Sequence, residues 1–273
     1  MGLVDVAVNL TGAAFDGDRA EVARRAREAG VAALVVTASG LEDSARALDL
    51  AREIEGCVAT VGVHPHNARE WDAGASPARL RALALSEGPA PVAIGECGLD
   101  YNRNFSPQAA QRKCFEDQLE IAAELGLPAF LHERDAFDDF HSILKQRRAD
   151  LPGALVHCFT GGARELEAYL ALDCYIGITG WICDERRGER LIELARDIPC
   201  DRLLLETDSP YLLPRTMPRA LRPKNGRNEP AFLVQVAAFV AQALGKSAEE
   251  LAAQTGANAA RLFGALPGNA FGP

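Results

Sequence analysis

The chain has 273 residues, of which 48% are hydrophobic, so it is long enough to bury a large core. It contains no run of about 18 apolar residues and no basic-then-apolar leader, and we therefore expect neither a membrane span nor a secretory signal. A formal charge of -9 argues against nucleic-acid binding through overall electrostatic attraction, but it does not exclude binding through a local basic patch.

The elements along the chain alternate between apolar, β-branched runs and amphipathic segments. Continuous apolar runs are typical of buried parallel strands, and eight are predicted, at residues 3–8, 31–37, 57–63, 91–95, 128–131, 153–157, 174–178 and 202–206. Apolar residues at three- and four-residue spacing predict nine helices, at residues 19–29, 41–55, 76–86, 106–125, 136–148, 164–172, 186–198, 230–244 and 247–263. In the fourth helix, Ser106 and Pro107 fit an N-cap and the first helical position.

This alternation predicts an α/β fold, a (β/α)8 TIM barrel. A doubly wound open sheet is the alternative, but it would gather its polar site at one switch point. Polar residues instead follow many of the predicted strands, which favours closure. We therefore expect a single-domain barrel of the metal-dependent hydrolase type over residues 1–273, with its chemistry at the carboxyl ends of the strands.

Four polar residues stand at predicted strand ends. Glu96 ends the fourth strand, His132 and His157 follow the fifth and sixth, and Asp208 follows the eighth. In a closed barrel these side chains can converge, and a glutamate with two histidines is a recurrent metal set in hydrolases. Asp208 could complete the metal shell or accept a proton from an attacking water. Each residue alone is more often structural, but together they predict a metal-dependent hydrolase.

The seven cysteines are scattered, odd in number and without a C-x-x-C pair. They are typical of reduced thiols, so we expect a cytoplasmic protein. Cys97 and Cys158 adjoin Glu96 and His157, but neighbouring strand residues point to opposite faces. We therefore expect both thiols to face away from the site.

A segment between residues 184 and 227 is rich in proline and basic residues. Its basic side chains form either a solvated loop or a phosphate-binding rim beside the metal site. They are Arg186, Arg187, Arg190, Arg215, Arg219, Arg222, Lys224 and Arg227.

Several stretches resemble the TatD family of metal-dependent deoxyribonucleases. They are GVHPH, GECGLDYNRNF, HERDA, HCFTG, YIGITGWICDERRG, LLLETDSPYL and GRNEP. The resemblance covers nearly the whole chain in order, from VDVAVNL to NAARLFG, and HCFTG and ETDSPYL are its specific motifs. It implies a TIM barrel that cleaves phosphodiester bonds in DNA.

The resemblance also implies roles for single residues. Glu96, His132 and His157 would be metal ligands, Asp208 a ligand or general base, and His64 a group that binds the scissile phosphate or stabilises the leaving group. The activity would be that of a Mg²⁺-dependent 3′-to-5′ exonuclease on single-stranded DNA and RNA, linked to repair of oxidative DNA damage. Mn²⁺, Co²⁺ or Zn²⁺ should also bind, since imidazoles favour transition metals.

One stretch departs from the family pattern. Most members begin with a strand ending in D-x-H-x-H-L, whereas this chain has VDVAVNL, with Ala7 and Asn9 at the histidine positions. Asn9 offers one carbonyl oxygen, here assigned to substrate binding, and Ala7 offers nothing. We therefore expect one better-formed metal site at the Glu-His-His set. A second ion, if present, would lie near Glu96 and Asp208 and would be held mainly by substrate phosphate and water.

Substrate contacts are expected from loops at the barrel rim. Proteins grip single strands by stacking bases on aromatic rings, and Phe105 and Trp181 are the first candidates for this role. Arg103, Arg186 and Arg187 would contact backbone phosphates. The expected partner is single-stranded DNA or RNA, with no membrane, and the protein is expected to be a monomer. His66 is expected only to cap or hydrogen-bond its own loop.

Two other functions stay open from the sequence. The barrel could act as an amidohydrolase on a small amide or ester, or as an aminoacyl-tRNA deacylase. It could also have lost its metals and serve as a binding module, an interpretation that the missing H-x-H pair motivates. The four converging polar residues oppose the binding module, and the arginine-rich segment suits phosphate better than a small amide.

Overall fold

The computed structural model describes residues 2–186 and 188–267. In this part of the chain, eight parallel strands form one sheet in which each strand pairs with the next. The strands are β1 (Leu3–Val8), β2 (Val31–Val36), β3 (Cys57–Val61), β4 (Ala93–Asp100), β5 (Ala129–Arg134), β6 (Ala154–Val156), β7 (Tyr175–Ile178) and β8 (Leu203–Leu205). This order confirms the predicted (β/α)8 barrel, since the strand order of an open doubly wound sheet would reverse at a switch point.

Helices follow every strand within the described residues. They are α1 (Arg19–Glu28), α2 (Leu41–Glu53), α3 (Ser76–Ala84), α4 (Gln108–Leu125), α5 (Phe137–Arg147), α6 (Ala163–Ala171), α7 (Gly188–Asp197), α8 (Leu233–Ala243) and α9 (Ala248–Phe263). The predicted N-cap of α4 is wrong, because the Ser106 hydroxyl instead donates to the His66 carbonyl and accepts the Arg69 N–H. Among the described residues no single helix has the length and apolarity of a membrane span. Only Pro230–Ala243 and Ala248–Phe263, taken together across a 109° bend, reach them.

The largest difference from the predicted elements lies in β4, which continues to Asp100 instead of ending at residue 95. Gly98 has a φ of +142° and pairs in register with His132. A Cβ at Gly98 would lie 2.9 Å from the carbonyl carbon of His132, so glycine permits the close approach of β4 to β5. Because side chains alternate along a strand, Glu96 and Asp100 both point into the barrel.

The barrel closes where β8 meets β1. The backbone N–H of Asp208 donates to the Ala7 carbonyl at 3.0 Å, and that of Asn9 donates to the Ser209 carbonyl at 2.9 Å. The buried carboxyl of Asp5 accepts the Thr207 N–H at 2.9 Å and bonds the Thr207 hydroxyl at 2.6 Å. These bonds fix the chain on both sides of the strand ends that carry Asn9 and Asp208.

The barrel interior is filled by one apolar cluster that includes Phe130, Leu155 and Leu204. The last turns of α9 add Leu262 and Phe263 to it. Because the Asn258 amide of α9 donates to the carbonyl of Leu203, the first residue of β8, α9 covers the amino-terminal end of the barrel. The opposite end, where the strands finish, is left for the functional site.

Candidate metal centre

A large cleft lies at the carboxyl-terminal ends of the strands. Its volume is about 2440 Å³. Pockets for small molecules usually measure about 300–1,000 Å³, so this cleft suits a polymer better than a small amide. Residues of the predicted site line it, among them Asn9, His64, Glu96, His132, His157 and Asp208.

Three imidazoles converge on the carboxylate of Glu96. Its Oε1 lies 2.8 Å from Nδ1 of His132, 2.8 Å from Nε2 of His157 and 3.3 Å from Nε2 of His64. The first two nitrogens are themselves 3.4 Å apart. The structure therefore brings together the three predicted ligands, which come from β4, from β5 and from the residue after β6.

The spacing of these atoms fits a divalent cation. Two ligand atoms bound to one ion at about 2.1 Å lie about 3.0–3.4 Å apart in octahedral or tetrahedral geometry. The three atom pairs among Glu96 Oε1, His132 Nδ1 and His157 Nε2 span 2.8–3.4 Å. Two imidazoles and a carboxylate are also a donor set that hydrolytic metals use. The residues present thus fit the metal that the resemblance implies.

A second carboxylate stands behind each of these two imidazoles. Asp100 Oδ2 is 3.6 Å from Nε2 of His132, and Glu206 Oε1 is 3.6 Å from Nδ1 of His157. Both nitrogens are buried without a hydrogen bond to any described residue. A metal-binding histidine typically donates its second N–H to such a carboxylate, which fixes the tautomer and the ring orientation. Asp100 and Glu206 are placed for this role.

The electrostatics of the cluster favour an ionised Glu96. Burial opposes its charge, but the charges and hydrogen bonds of the surrounding imidazoles hold the pKa of Glu96 well below its usual range. Burial would also lower the pKa of His132 and His157, yet the neighbouring carboxylates outweigh it and raise both pKa values. The carboxylate thus attracts positive charge, which a divalent ion can supply in place of the imidazole protons.

His64 differs from the other two imidazoles. Its Nδ1 accepts the backbone N–H of His66 at 3.1 Å, so the neutral ring carries its proton on Nε2. Burial lowers the pKa of His64 to about 4, which keeps the ring neutral. His64 lies close enough to Glu96 and His132 to join a metal cluster. However, its Nε2 offers a hydrogen instead of a lone pair, and this nitrogen lies 3.3 Å from Glu96 Oε1 at the edge of the cluster.

Asp208 is held in place by Asn9. The Asn9 amide donates to Asp208 Oδ1 at 2.8 Å and to the Ser209 carbonyl at 3.2 Å. Asp208 has a φ of +53°, a conformation that non-glycine residues adopt mainly where the surrounding structure enforces it. Burial raises the pKa of Asp208 to about 7, against the lowering effect of His157. Its carboxyl can therefore exchange a proton near neutral pH.

The two cysteines beside the site lie on different sides of the barrel wall. Cys97 faces outward and packs in the apolar core near Cys114 of α4, as predicted. The prediction for Cys158 is wrong, since it lines the cleft. Its φ of +47° breaks the strand alternation directly after His157. Burial raises the pKa of the Cys158 thiol well above its usual range, which favours the protonated thiol.

The predicted substrate contacts lie around the same cleft. Phe105 is 52% exposed, and its ring meets that of His66 edge-on at 4.7 Å. Trp181, Arg103 and Arg186 also line the cleft. Arg187 lies outside the described residues. His66 is more than a loop contact, because its Nε2 lies 2.7 Å from Asp100 Oδ2 and so joins the carboxylate behind His132.

Part of the arginine-rich segment is structural. Three of its arginines are held by protein groups, namely Arg215 by Glu185, Arg227 by Asp18 and Arg222 by the Met217 carbonyl. None of these three lines the cleft. Of the described basic residues in this segment, only Arg186 and Arg190 line the cleft. A phosphate-binding rim would therefore be limited to the first few residues of the segment.

Sequence reasoning missed three buried carboxyls of this region. Asp100 was missed because β4 was predicted to end too early; extending the period-two pattern from Glu96 would have found it. Glu206 directly precedes Thr207 and Asp208, and a fully buried glutamate is rare unless it has a partner. Asp5 lies in the stretch VDVAVNL, but its role at the barrel closure depends on a contact about two hundred residues away in the chain.

Asp5 leads to a prediction on pH and stability. Burial raises the pKa of Asp5 to about 8, although bonds from Thr207 act in the opposite direction. The folded protein therefore binds a proton between about pH 4 and pH 8 that the unfolded chain has released, and the free energy of unfolding falls as pH rises through this window. Asp5→Asn removes the titrating group and still places a carbonyl oxygen and an amide nitrogen where the two carboxyl oxygens lie.

Between pH 5.5 and pH 8, we expect the free energy of unfolding of wild type to fall by about 2 to 3 kcal/mol relative to that of Asp5→Asn. Urea unfolding in EDTA at both pH values measures it, since the titration of all other groups is shared by the two proteins. An unchanged difference between the two pH values would mean that Asp5 is already ionised in the folded state.

Comparison with known proteins agrees with this geometry. The family model described as "TatD related DNase" matches residues 4–264. The chain is 54% identical to the "3'-5' ssDNA/RNA exonuclease TatD" of Erwinia tasmaniensis over 96% of this chain and 99% of that protein. It is 53% identical to the protein of the same name from Cronobacter sakazakii over 96% of this chain and 97% of that protein.

Solved structures share the fold over almost the whole chain. The crystal structure of YJJV, a TatD homologue from Escherichia coli K12, has a TM-score of 0.87 at 28% identity, covering 96% of this chain and 98% of that one. A hydrolase TatD family protein from Entamoeba histolytica has a TM-score of 0.85 at 25% identity, with 96% and 98% covered.

Proposed function

Because the chain belongs to the TatD-related DNase family, we propose that it is a metal-dependent nuclease that removes nucleotides from the 3′ end of single-stranded DNA and RNA. One observation carries this proposal: His132 and His157 converge on one oxygen of Glu96 in a cleft large enough for a polymer. The relatives that are 54% and 53% identical carry this activity in their names, which supports its direction and substrates.

Glu96, His132 and His157 are the proposed metal ligands, with Asp208 as a further ligand or as the base. A divalent ion held by these residues would offset negative charge on the phosphate and make the attacking water more acidic. We propose Mg²⁺ as the native ion, since it keeps several waters and shares ligands with phosphates. Mn²⁺, Co²⁺ and Zn²⁺ are expected to bind the same imidazoles.

The proton of the attacking water is assigned to Asp208. Its carboxyl has a pKa of about 7 because burial disfavours the charged form, so it can accept a proton at neutral pH. Asn9 holds Oδ1 of this carboxyl at 2.8 Å and fixes its orientation. Asn9 thus acts on the substrate chiefly through Asp208.

His64 is assigned to the phosphate or to the leaving oxygen. Its neutral ring presents a hydrogen on Nε2, and its second nitrogen is held by the His66 backbone. A donor fixed in this way can stabilise negative charge that develops on the phosphate during cleavage. Around it, Phe105 and Trp181 are the proposed base contacts, and Arg103 with Arg186 the proposed phosphate contacts.

Two of the competing functions, the small-molecule amidohydrolase and the binding module, fit the structure less well. A small-molecule amidohydrolase would not need a cleft of about 2440 Å³. A barrel that only binds its partner would not need imidazoles and carboxylates arranged at metal-ligand spacing. Location in the cytoplasm, a monomeric state and a role in repair of oxidative DNA damage stay predictions.

An end-labelled oligonucleotide tests the proposed activity. We expect purified protein with Mg²⁺ to shorten a single-stranded 20-mer so that products keeping a 5′ label form a ladder, while a 3′ label appears at once as a mononucleotide. The matched control is the same strand annealed to its complement, which should be cut more slowly. Internal cleavage, or a ladder that keeps the 3′ label, would contradict the proposed polarity.

A further inference from the structure

The arginines that line the cleft differ in whether they already have a carboxylate partner. Four of them are paired, namely Arg19 with Asp16, Arg46 with Asp43, Arg164 with Asp138 and Arg186 with Asp184. Among the described residues, no carboxylate lies within 4.0 Å of the Arg103, Arg134 or Arg190 guanidinium. In a chain with a formal charge of -9, unpaired cations at one cleft can bind an anionic ligand without first giving up a carboxylate partner, as Arg186 would have to.

Arg134 has the best-defined position of these three. It is the last residue of β5, two residues after the proposed ligand His132, so both side chains point to the same side of the strand. It pairs in register with Asp100 of β4. Its backbone is fixed there, since the Arg134 carbonyl accepts the Tyr101 N–H at 2.9 Å. Its side chain is exposed and lines the cleft.

The acidic residues that follow Arg134 in the chain are already engaged by other groups. Asp135 accepts the Asn102 amide at 2.7 Å, and Asp138 binds Arg164 at 2.8 Å. Asp139 accepts the Tyr101 hydroxyl at 2.6 Å. Asp100 is likewise bound by His66 at 2.7 Å and by the Arg103 N–H at 2.8 Å.

We propose that Arg134 binds a backbone phosphate of the substrate next to the scissile bond, on the β4–β5 side of the cleft. A guanidinium matches the oxygens of a phosphate with two parallel hydrogen bonds, which a lysine cannot reproduce. The exposed ring of Phe105 follows β4 on the same side and can stack the adjoining base. This inference rests on the proposed nuclease function and adds a residue that holds the strand over the metal centre.

The test compares Arg134→Met and Arg134→Lys with wild type on a single-stranded oligonucleotide in saturating Mg²⁺. The matched control is Arg164→Met, which removes the same charge from the same cleft but from a guanidinium that is already bound by Asp138. Arg134 is exposed, so all variants should fold, and equal melting temperatures check this.

For Arg134→Met we expect kcat/KM to fall about 5- to 20-fold at 0.1 M NaCl, mainly through KM, with kcat within about threefold. The plot of log kcat/KM against log salt should become less steep by about 0.7, because one phosphate contact is lost on a single strand. Arg134→Lys should keep most of the salt dependence but only part of the affinity. Arg164→Met should match wild type.

Salt dependence that is the same in Arg134→Met and wild type, or equal losses in Arg134→Met and Arg164→Met, would overturn the assignment of Arg134 alone. A folded wild-type protein that cleaves no oligonucleotide with any metal would overturn the proposed function, and this inference with it.

Discussion

Glu96→Gln is expected to lower the rate of oligonucleotide cleavage by at least about 10³-fold while the protein stays folded. The carboxylate oxygen of Glu96 is the atom on which His132, His157 and His64 converge at 2.8–3.3 Å. An amide of the same shape removes the negative charge that makes this cluster attractive to a cation. Initial rates on a 5′-labelled single strand, together with circular dichroism and a melting curve, measure both halves of the expectation.

Glu133→Gln is the matched control for this substitution. Glu133 lies on β5 directly after His132, and its carboxylate points away from the metal cluster to the Tyr169 hydroxyl at 3.1 Å and the Ala136 N–H at 2.7 Å. The glutamine carbonyl oxygen can still accept the Ala136 N–H, and its amide group can donate to the Tyr169 hydroxyl. Activity should therefore stay within about threefold of wild type. Equal losses in the two variants would point to general damage, and full activity of Glu96→Gln would remove Glu96 from the site.

Asp208→Asn is expected to reduce kcat by about 10²- to 10⁴-fold with little change in KM. The amide can still accept the Asn9 hydrogen bond that now holds Oδ1 at 2.8 Å, so the side chain keeps its place but loses its ability to take a proton. Asn9→Ala, which leaves the carboxylate and removes only its support, should cost about tenfold.

Single-turnover rates measure this step without the contribution of product release. Asp208→Asn that cleaved at the wild-type rate would show that another group accepts the proton. A large rise in KM with an unchanged kcat would instead assign Asp208 to substrate binding.

The barrel and its main ligands could be predicted from the sequence because they depend on local patterns. Apolar runs marked all eight strands, and Glu96, His132 and His157 each stand at or directly after one of them. Parallel strands in a closed barrel carry such residues to the same end, so no long-range contact had to be known.

Residues that depend on long-range contacts could not be predicted in the same way. The role of Asp5 comes from Thr207, on the far side of the barrel closure, and that of Glu206 comes from His157. The tautomer of His64 follows from a bond to the His66 backbone, which only the loop geometry reveals. Cys158 lines the cleft, contrary to the prediction, because its positive φ angle breaks the alternation of side chains along the strand.

The positions of basic residues in the sequence were the least reliable basis for predicting phosphate contacts. The arginine-rich segment suggested a phosphate-binding rim, yet Arg215 forms an ion pair with Glu185 and Arg227 forms one with Asp18. Arg134, in contrast, is a single arginine within HERDA whose acidic neighbours all bond elsewhere. Whether a cation is free depends on the partners that surround it, and a linear sequence does not display them.

The central claim is that the cluster around Glu96 binds the divalent ion on which cleavage depends. The most direct test strips wild-type protein with EDTA, exchanges it into metal-free buffer and follows cleavage of a 5′-labelled single strand as Mg²⁺ or Mn²⁺ is added back. We predict no cleavage in the stripped protein and saturable recovery with either ion, with no recovery in Glu96→Gln. Cleavage at the full rate by stripped protein in the presence of EDTA would contradict the claim.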